Sequence, residues 1–198
     1  MTARIKKQFS FSTGLVYQGH FMINHYTVTL TMTVKSHDFY QQNIAYERMK
    51  YWMQEIMSDS ILISEKDSKL KQFSALDTTV IVLPQDPVDQ LVGIMLYSKI
   101  NAVMEDRIEI DELEIVSSQG DDTVYLYGAG EVTASGVPFS DWWFDARPVA
   151  SQPKVKPNGK VVNLTRIPEW DELGLAWDTE QETDNTVVFA NFGANENK

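Results

Sequence analysis

The chain has 198 residues, 43% hydrophobic and 11% aromatic, enough for one sizeable core with an appendage and too apolar for global disorder. A formal net charge of −11 argues against a general nucleic-acid binder, which needs basic surface to neutralise phosphates. The absence of cysteine excludes disulfides, thiolate nucleophiles and zinc–thiolate sites.

No apolar run reaches the ~18 residues of a membrane helix, and the N-terminus lacks the apolar stretch of a secretory leader, so the expected location is the cytoplasm, with no membrane contact. Charge is unevenly spread. No acid precedes Asp38, where Arg4, Lys6, Lys7 and Lys35 are the basic groups, whereas the stretch from Glu169 to Glu196 is heavily acidic.

Phe9, Phe11, Leu15 and Tyr17 fall at nearly every second position, which predicts a strand, and Gln18-Gly19 offers a turn. From Tyr26 to Val34 the alternation is cleaner: Tyr26, Val28, Leu30, Met32 and Val34 share one face, and Thr27, Thr29, Thr31 and Thr33 the other. Threonine suits a half-solvated or oligomer-facing surface. Asp38 with Gln41 three residues later predicts a capped helix start. Ile44, Ala45, Met49, Trp52, Met53 and Ile56 recur at helical spacing until Ser58-Asp59-Ser60.

A polar link from Glu65 to Lys71 precedes an extended segment, Thr79 to Leu83. Asp86-Pro87 reads as a second helix start, with Asp86 as cap, Pro87 in the first helical position and Asp89 in the first turn. Val88, Leu91, Val92, Met95, Leu96, Ile100 and Val103 form its stripe. Strands around Glu112 to Ser117 and Thr123 to Thr133 follow, joined by the hairpin loop Gln119-Gly120-Asp121-Asp122. The expected order is β-β-α-α-β-β, an α/β (α+β) antiparallel sheet with two helices on one face.

After Val137 the pattern decays through Pro138, Pro148, Pro153, Pro157 and Asn158-Gly159. We expect a domain over residues 1–150 and an acidic, irregular tail over 151–198. Within that tail, apolar clusters at Val161 to Leu164, Trp170 to Trp177 and Val187 to Phe192 read as docking segments.

The order of elements, with the segments Phe9-Ser10-Phe11-Ser12-Thr13-Gly14-Leu15, Asn24-His25-Tyr26-Thr27-Val28, Asp38-Phe39, Met57 to Leu62, Asp86 to Leu91 and Glu112 to Tyr125, resembles the T-fold superfamily, in its branch of 6-pyruvoyltetrahydropterin and carboxytetrahydropterin synthases. The resemblance implies a T-fold sheet and a homo-oligomer joined at sheet edges. It does not extend to the chemistry. The family's three zinc histidines fall on Thr13, Met22 and Asn24, its catalytic thiol has no counterpart, its partner histidine falls on Asp59, and the glutamate that anchors the pterin falls on Ser117. No metal and no cofactor is expected.

Each candidate residue carries a functional and a bland reading. His20 and His25 could form a rearranged ligand site only if a bulge reversed a side-chain direction; otherwise they are hairpin residues, and His37 is a helix-entry residue. A triad at Asp59, Ser117 and Ser118 would need a base, and no histidine is expected close to them. Glu112 and Glu114 have the spacing of a solvated strand face, and Gly128-x-Gly130 that of a strand irregularity. Met49, Met53, Met57 and Met95 read as core. Trp142, Trp143 and Phe144 either pack on the domain's own sheet or, with Trp170, Trp177 and Phe189, form an interface.

The function expected from these readings is a non-catalytic T-fold-derived assembly or interaction protein with a possible protein partner for its C-terminal tail. Its character is that of an accessory protein of a large bacterial virus, acting in the host cytoplasm. The alternative is a divergent pterin- or purine-binding protein using an intersubunit pocket near His20, His25, Asp59 and Ser117.

Overall fold

The computed structural model describes residues 4–121, 123–148 and 168–177. Strands β1 (Arg4–Tyr17) and β2 (His20–Val34) form a long hairpin whose register runs unbroken from Arg4 opposite Thr33 to Tyr17 opposite His20. Gln18 and Gly19 both take positive φ (49° and 74°), the conformation in which a two-residue turn matches the strands' twist. The alternation in the sequence maps directly onto the two faces. Phe9, Phe11, Leu15, Tyr26, Val28, Leu30 and Met32 are buried on the helix side, while Thr27, Thr29, Thr31 and Thr33 are half-buried on the other.

Asp38 caps helix α1 (Phe39–Tyr51) by accepting the Tyr40 N–H at 2.8 Å. The helix continues as a π-helical segment, Trp52–Met57, before the chain extends at Ser58. Met49, Met53 and Met57 are buried on this stretch, and Met95 is buried on the next long helix. Helix α3 (Asp89–Met104) starts later than expected: its cap position is Val88, not Asp86, and Pro87 lies outside it. Helices α1 and α3 pack together on the core face of the sheet.

Strands β5 (Ile108–Ser117) and β6 (Val124–Tyr127) extend the antiparallel sheet beyond β2. The strand expected to reach Thr133 stops at Tyr127. Gly128 instead opens a short helix α4 (Ala129–Ala134), where the Glu131 carboxylate accepts the Gly128 N–H at 3.0 Å.

Two strands join the other side of β1. β3 (Ile61–Ser64) pairs in parallel with β1 at Gly14 to Val16, and β4 (Val80–Leu83) pairs in parallel with β3. The sheet order is therefore β4-β3-β1-β2-β5-β6. Val16, Ile61, Ile63 and Val80 form a second small core, covered by Leu70 and Phe73 of the short helix α2 (Leu70–Phe73).

A 3-10 turn, Asp141–Phe144, places Trp143 fully in the main core and leaves Phe144 exposed. It is tied to α3 by Lys99, whose ammonium donates to the carbonyls of Trp142, Asp145 and Arg147 at 3.2, 2.6 and 2.8 Å. Residues 168–177 pack on the same subunit: the Trp170 indole donates to Ala146 O at 2.6 Å and meets the Tyr51 ring edge-on. The expected boundary near residue 150 and the clusters at Val161 to Leu164 and Val187 to Phe192, Phe189 included, lie outside the described residues.

Candidate functional site

At the α3 end of the β2–β5 pairing the sheet's buried face turns polar. Tyr26 and Ser117 are cross-strand partners, and both reach the first turn of α3. The Tyr26 hydroxyl donates to Asp89 Oδ1 at 3.1 Å, and the Ser117 hydroxyl donates to Asp89 Oδ2 at 2.6 Å. Burial, reinforced by the Asp89 charge, holds the Tyr26 phenol far above its ordinary range. The same causes, with Tyr125 between them in weight, push Tyr127 up to about 12. Gly120 closes the cluster: a Cβ there would stand 2.9 Å from Asp89 Oδ2 and 3.0 Å from Ser117 Oγ.

Asn24, Thr13 and Ser60 continue the patch. Asn24 is Thr13's partner across the hairpin. Its Oδ1 accepts from the Ser118 hydroxyl at 2.9 Å, and Ser118 Oγ in turn accepts the His25 N–H at 3.2 Å. Thr13 Oγ1 donates to Ser60 O at 2.7 Å, and the Ser60 hydroxyl donates to Met57 O at 2.8 Å. Asn24 Nδ2 is buried without a hydrogen bond of good geometry, and its one polar influence is on the Tyr26 hydroxyl, whose ionised form it favours against the larger effect of burial.

Zinc does not fit these residues. Thr13 and Asn24 are neutral and spend their oxygens on Ser60 and Ser118, and Met22 supplies only a thioether, so three imidazoles have no equivalent. Among the described residues no group of three or more His, Asp or Glu could hold a metal ion.

The residues singled out from sequence are distributed widely. His20 and His25 lie on one strand five residues apart, which puts them on opposite faces and about 16 Å from each other. The unbroken β1–β2 register contains no bulge that could turn either one. His25 Nδ1 lies 3.1 Å from Ser12 Oγ on the open face of the sheet. Asp59 is an exposed turn residue with φ of 59°, whose N–H donates to Ser12 O at 2.8 Å. Of the four, only Ser117 belongs to the buried cluster. Glu114 pairs with Lys6 at 3.0 Å.

A second constellation joins the tail to the body. Arg48, almost fully buried, donates to Leu175 O at 2.7 Å and to Glu105 Oε1 at 2.8 Å. Its guanidinium also lies over the Trp170 and Trp177 rings, and Arg107 lies over Trp177. Trp170 and Trp177 thus meet α1 of their own chain, while Trp142 and Trp143 meet each other edge-on beside α3.

From sequence, Asn24 is only a position where a zinc histidine is missing, Tyr26 a core-face strand residue, Gly120 a hairpin residue and Asp89 a first-turn residue, while Arg48 carries no site role and Lys99 none at all. One signal was available: after Asp89, Lys99 is the sole charged residue of the helix.

No protein-family model matches the chain, and no curated protein matches it. Among solved structures, the chain is similar to an uncharacterised protein from Wolinella succinogenes (11% identity, TM-score 0.42, covering 65% of this chain and 99% of that one). It is also similar to 6-pyruvoyltetrahydropterin synthase from Plasmodium vivax (10% identity, TM-score 0.41, 64% and 97% covered) and from Caenorhabditis elegans (15% identity, TM-score 0.36, 65% and 96% covered). These TM-scores all lie below 0.5, and the α+β assignment rests on the strands and helices themselves.

Proposed function

We propose that the chain is a non-catalytic assembly or interaction protein on a T-fold-like sheet, acting as a homo-oligomer. One observation carries this reading: the carboxylate best placed for chemistry is internally consumed. Both Asp89 oxygens accept hydroxyls of the protein's own core, from Tyr26 and Ser117. A general base needs an oxygen free to reach a substrate proton, and the one hydroxyl that Asp89 could deprotonate as a nucleophile, that of Ser117, is itself buried. His25, the nearest imidazole along the strand, faces the other side of the sheet.

The sheet's outer features support association. Phe21 and Ile23 of β2 and Val124 and Leu126 of β6 are exposed on the open face of the sheet, and the first half of β1 presents backbone groups that an added strand would satisfy. The acidic stretch from Glu169 to Glu196 supports a second contact, with a protein partner, and the altered scaffold supports the reading as a viral accessory protein in a host cytoplasm. No helix among the described residues is long and apolar enough to cross a membrane.

A second reading, a pterin- or purine-binding protein, draws on the unsatisfied Asn24 Nδ2, which an acceptor on a small ring could engage. Light scattering at micromolar concentration and a thermal-shift screen of pterins and purine nucleotides, with elemental analysis for zinc, separate the two. The assembly reading expects a defined oligomer, no ligand-dependent shift and zinc far below one per chain. A monomer overturns it, and a large ligand shift abolished by Asn24→Leu replaces it with the binding reading.

A further inference from the structure

The β1 strand has one edge that nothing among the described residues covers along half its length. Gly14 N–H donates to Ser60 O, and Ser12 O accepts from Asp59 N–H, both at 2.8 Å. Even-numbered residues of β1 therefore point their backbone groups away from β2. By the two-residue period of a strand, Lys6, Gln8 and Ser10 do the same. Pairing with β3 begins only at Gly14, and none of these three has a backbone partner on that side among the described residues. The edge opens into a cleft of about 310 Å³ between Lys7 to Phe11 of β1 and Met53, Gln54 and Ser58 of the π-helical segment and its end.

We propose that this cleft is the docking site of the chain's own segment Thr186 to Phe192, which adds to the β1 edge as a further strand. The inference rests on the reading of the sheet edges as interaction surfaces and names what occupies this one. Four observations select the occupant. The described tail ends at Trp177, held over Arg48 and Arg107. Arg107 O accepts from Lys35 and Ser36 just past the end of β2, and Arg4 pairs with Thr33 there, so the tail is left at the end of the sheet where the free edge of β1 begins.

The eight residues from Asp178 to Asn185 can span about 27 Å, and passing from β5 across β2 and β1 to the position beside the free edge needs about 14 Å. Thr186-Val187-Val188-Phe189-Ala190-Asn191-Phe192 carries no charge and is rich in β-branched and aromatic residues, the composition of a strand. Charge agrees as well. Asp178, Glu180, Glu182 and Asp184 precede that segment at every second position. Lys7, which lines the cleft and lies 5.5 Å from the Phe9 ring centre, has no carboxylate partner among the described residues. Main-chain hydrogen bonds to Lys6, Gln8 and Ser10 would supply affinity, and the pockets beside Phe9, Phe11 and Met53 would select alternate side chains.

The test is amide hydrogen exchange of Lys6, Gln8 and Ser10 in the full-length protein, compared with full-length Val188→Pro and Phe189→Pro variants, which lose strand-forming amides without shortening the chain. Expected is protection at least tenfold greater in the wild type, lost in both variants and restored to them by a synthetic peptide of residues 185–192. Protection that does not change with protein concentration assigns the segment to its own chain and supports the inference, whereas protection lost on dilution to the monomer assigns it to a neighbour and overturns it. Equal protection in wild type and variants that rises with protein concentration overturns the tail as occupant and leaves the edge to another copy's sheet. Amides unprotected in every sample at every concentration overturn both this inference and the edge-mediated assembly.

Discussion

The guanidinium carbon of Arg48 lies 3.8 Å from the centre of the Trp177 ring, which fixes the described end of the tail to the middle of the helical layer. The same group donates to Leu175 O and Glu105, so one side chain joins α1, the end of α3 and residues 168–177. Arg48→Met keeps the aliphatic stem and removes the charge and donors. We expect it to lower stability by about 2–3 kcal/mol. Tryptophan emission should shift to the red and segment 168–177 should exchange faster, both read on the intact protein. Arg48→Lys should recover only part of the loss, because an ammonium lacks the planar fork that stacks on an indole while bonding at its rim.

Lys99 gives a pH signature. Burial lowers its pKa from the usual 10.5 to about 8, against the opposing pull of Asp145. The unfolded chain therefore binds more protons than the folded one between those values, and stability rises with pH across that window, by at most about 1.4 kcal/mol per unit. Below pH ~8 the burial penalty is constant. Tyr26, Tyr97 and Tyr127 have raised values, so their contribution is lost as pH climbs past the ordinary 10.0. Urea midpoints should accordingly rise from pH ~8 to a maximum between ~9 and ~10 and then fall. In Lys99→Met the rising limb should be absent.

Much of this was legible in sequence because local rules agreed with the fold. Asp38 capped its helix, Ser58 ended it, and the alternation from Tyr26 to Val34 sorted the two faces of β2 without error. β3 was missed for a physical reason: Ile61-Leu62-Ile63 is buried on both faces, so it shows a short apolar run and no alternation. Asp86-Pro87 carried every sign of a helix start, but the helix begins at Asp89, whose carboxylate is bound across the sheet. Such a tertiary bond leaves no local pattern. The same holds for Arg48, whose neighbours Trp170 and Trp177 arrive from the far end of the chain.

Asp89 should be the most sensitive position of the buried polar cluster. Asp89→Ala leaves the Tyr26 and Ser117 hydroxyls without their acceptor, at a cost of about 2–4 kcal/mol. Asp89→Asn retains one carbonyl oxygen and should cost less. In that milder variant the Tyr26 phenol should titrate at lower pH than in the wild type, yet stay above the ordinary range because burial is the larger cause. Ultraviolet absorbance at alkaline pH reads this directly, and an unchanged titration would remove Asp89 from the account.

Gly93 lets α3 approach β6. A Cβ at that position would fall 2.3 Å from the Tyr127 ring, closer than any packed contact. Gly93→Ala should destabilise by about 1–3 kcal/mol despite alanine's better helix propensity. Combining it with Tyr127→Ala should cost less than the sum of the two single changes, because the smaller side chain frees the space. Strict additivity in chemical denaturation would show that the ring moves aside without strain.

The two-residue turn at Gln18-Gly19 also sets an order of events during folding. Its hairpin closes between neighbours in the chain, whereas Thr13 meets Ser60 across 47 residues and His25 meets Ser118 across 93. Loop closure at these longer separations is entropically dearer and slower, while an isolated hairpin forms in ~1–10 μs. We therefore expect β1 and β2 to form first, as the template on which the parallel strands and the α3–β5 unit assemble. Replacing Gly19, whose φ of 74° lies in the left-handed region that favours glycine, should slow refolding in proportion to the stability it removes and leave the unfolding rate nearly unchanged.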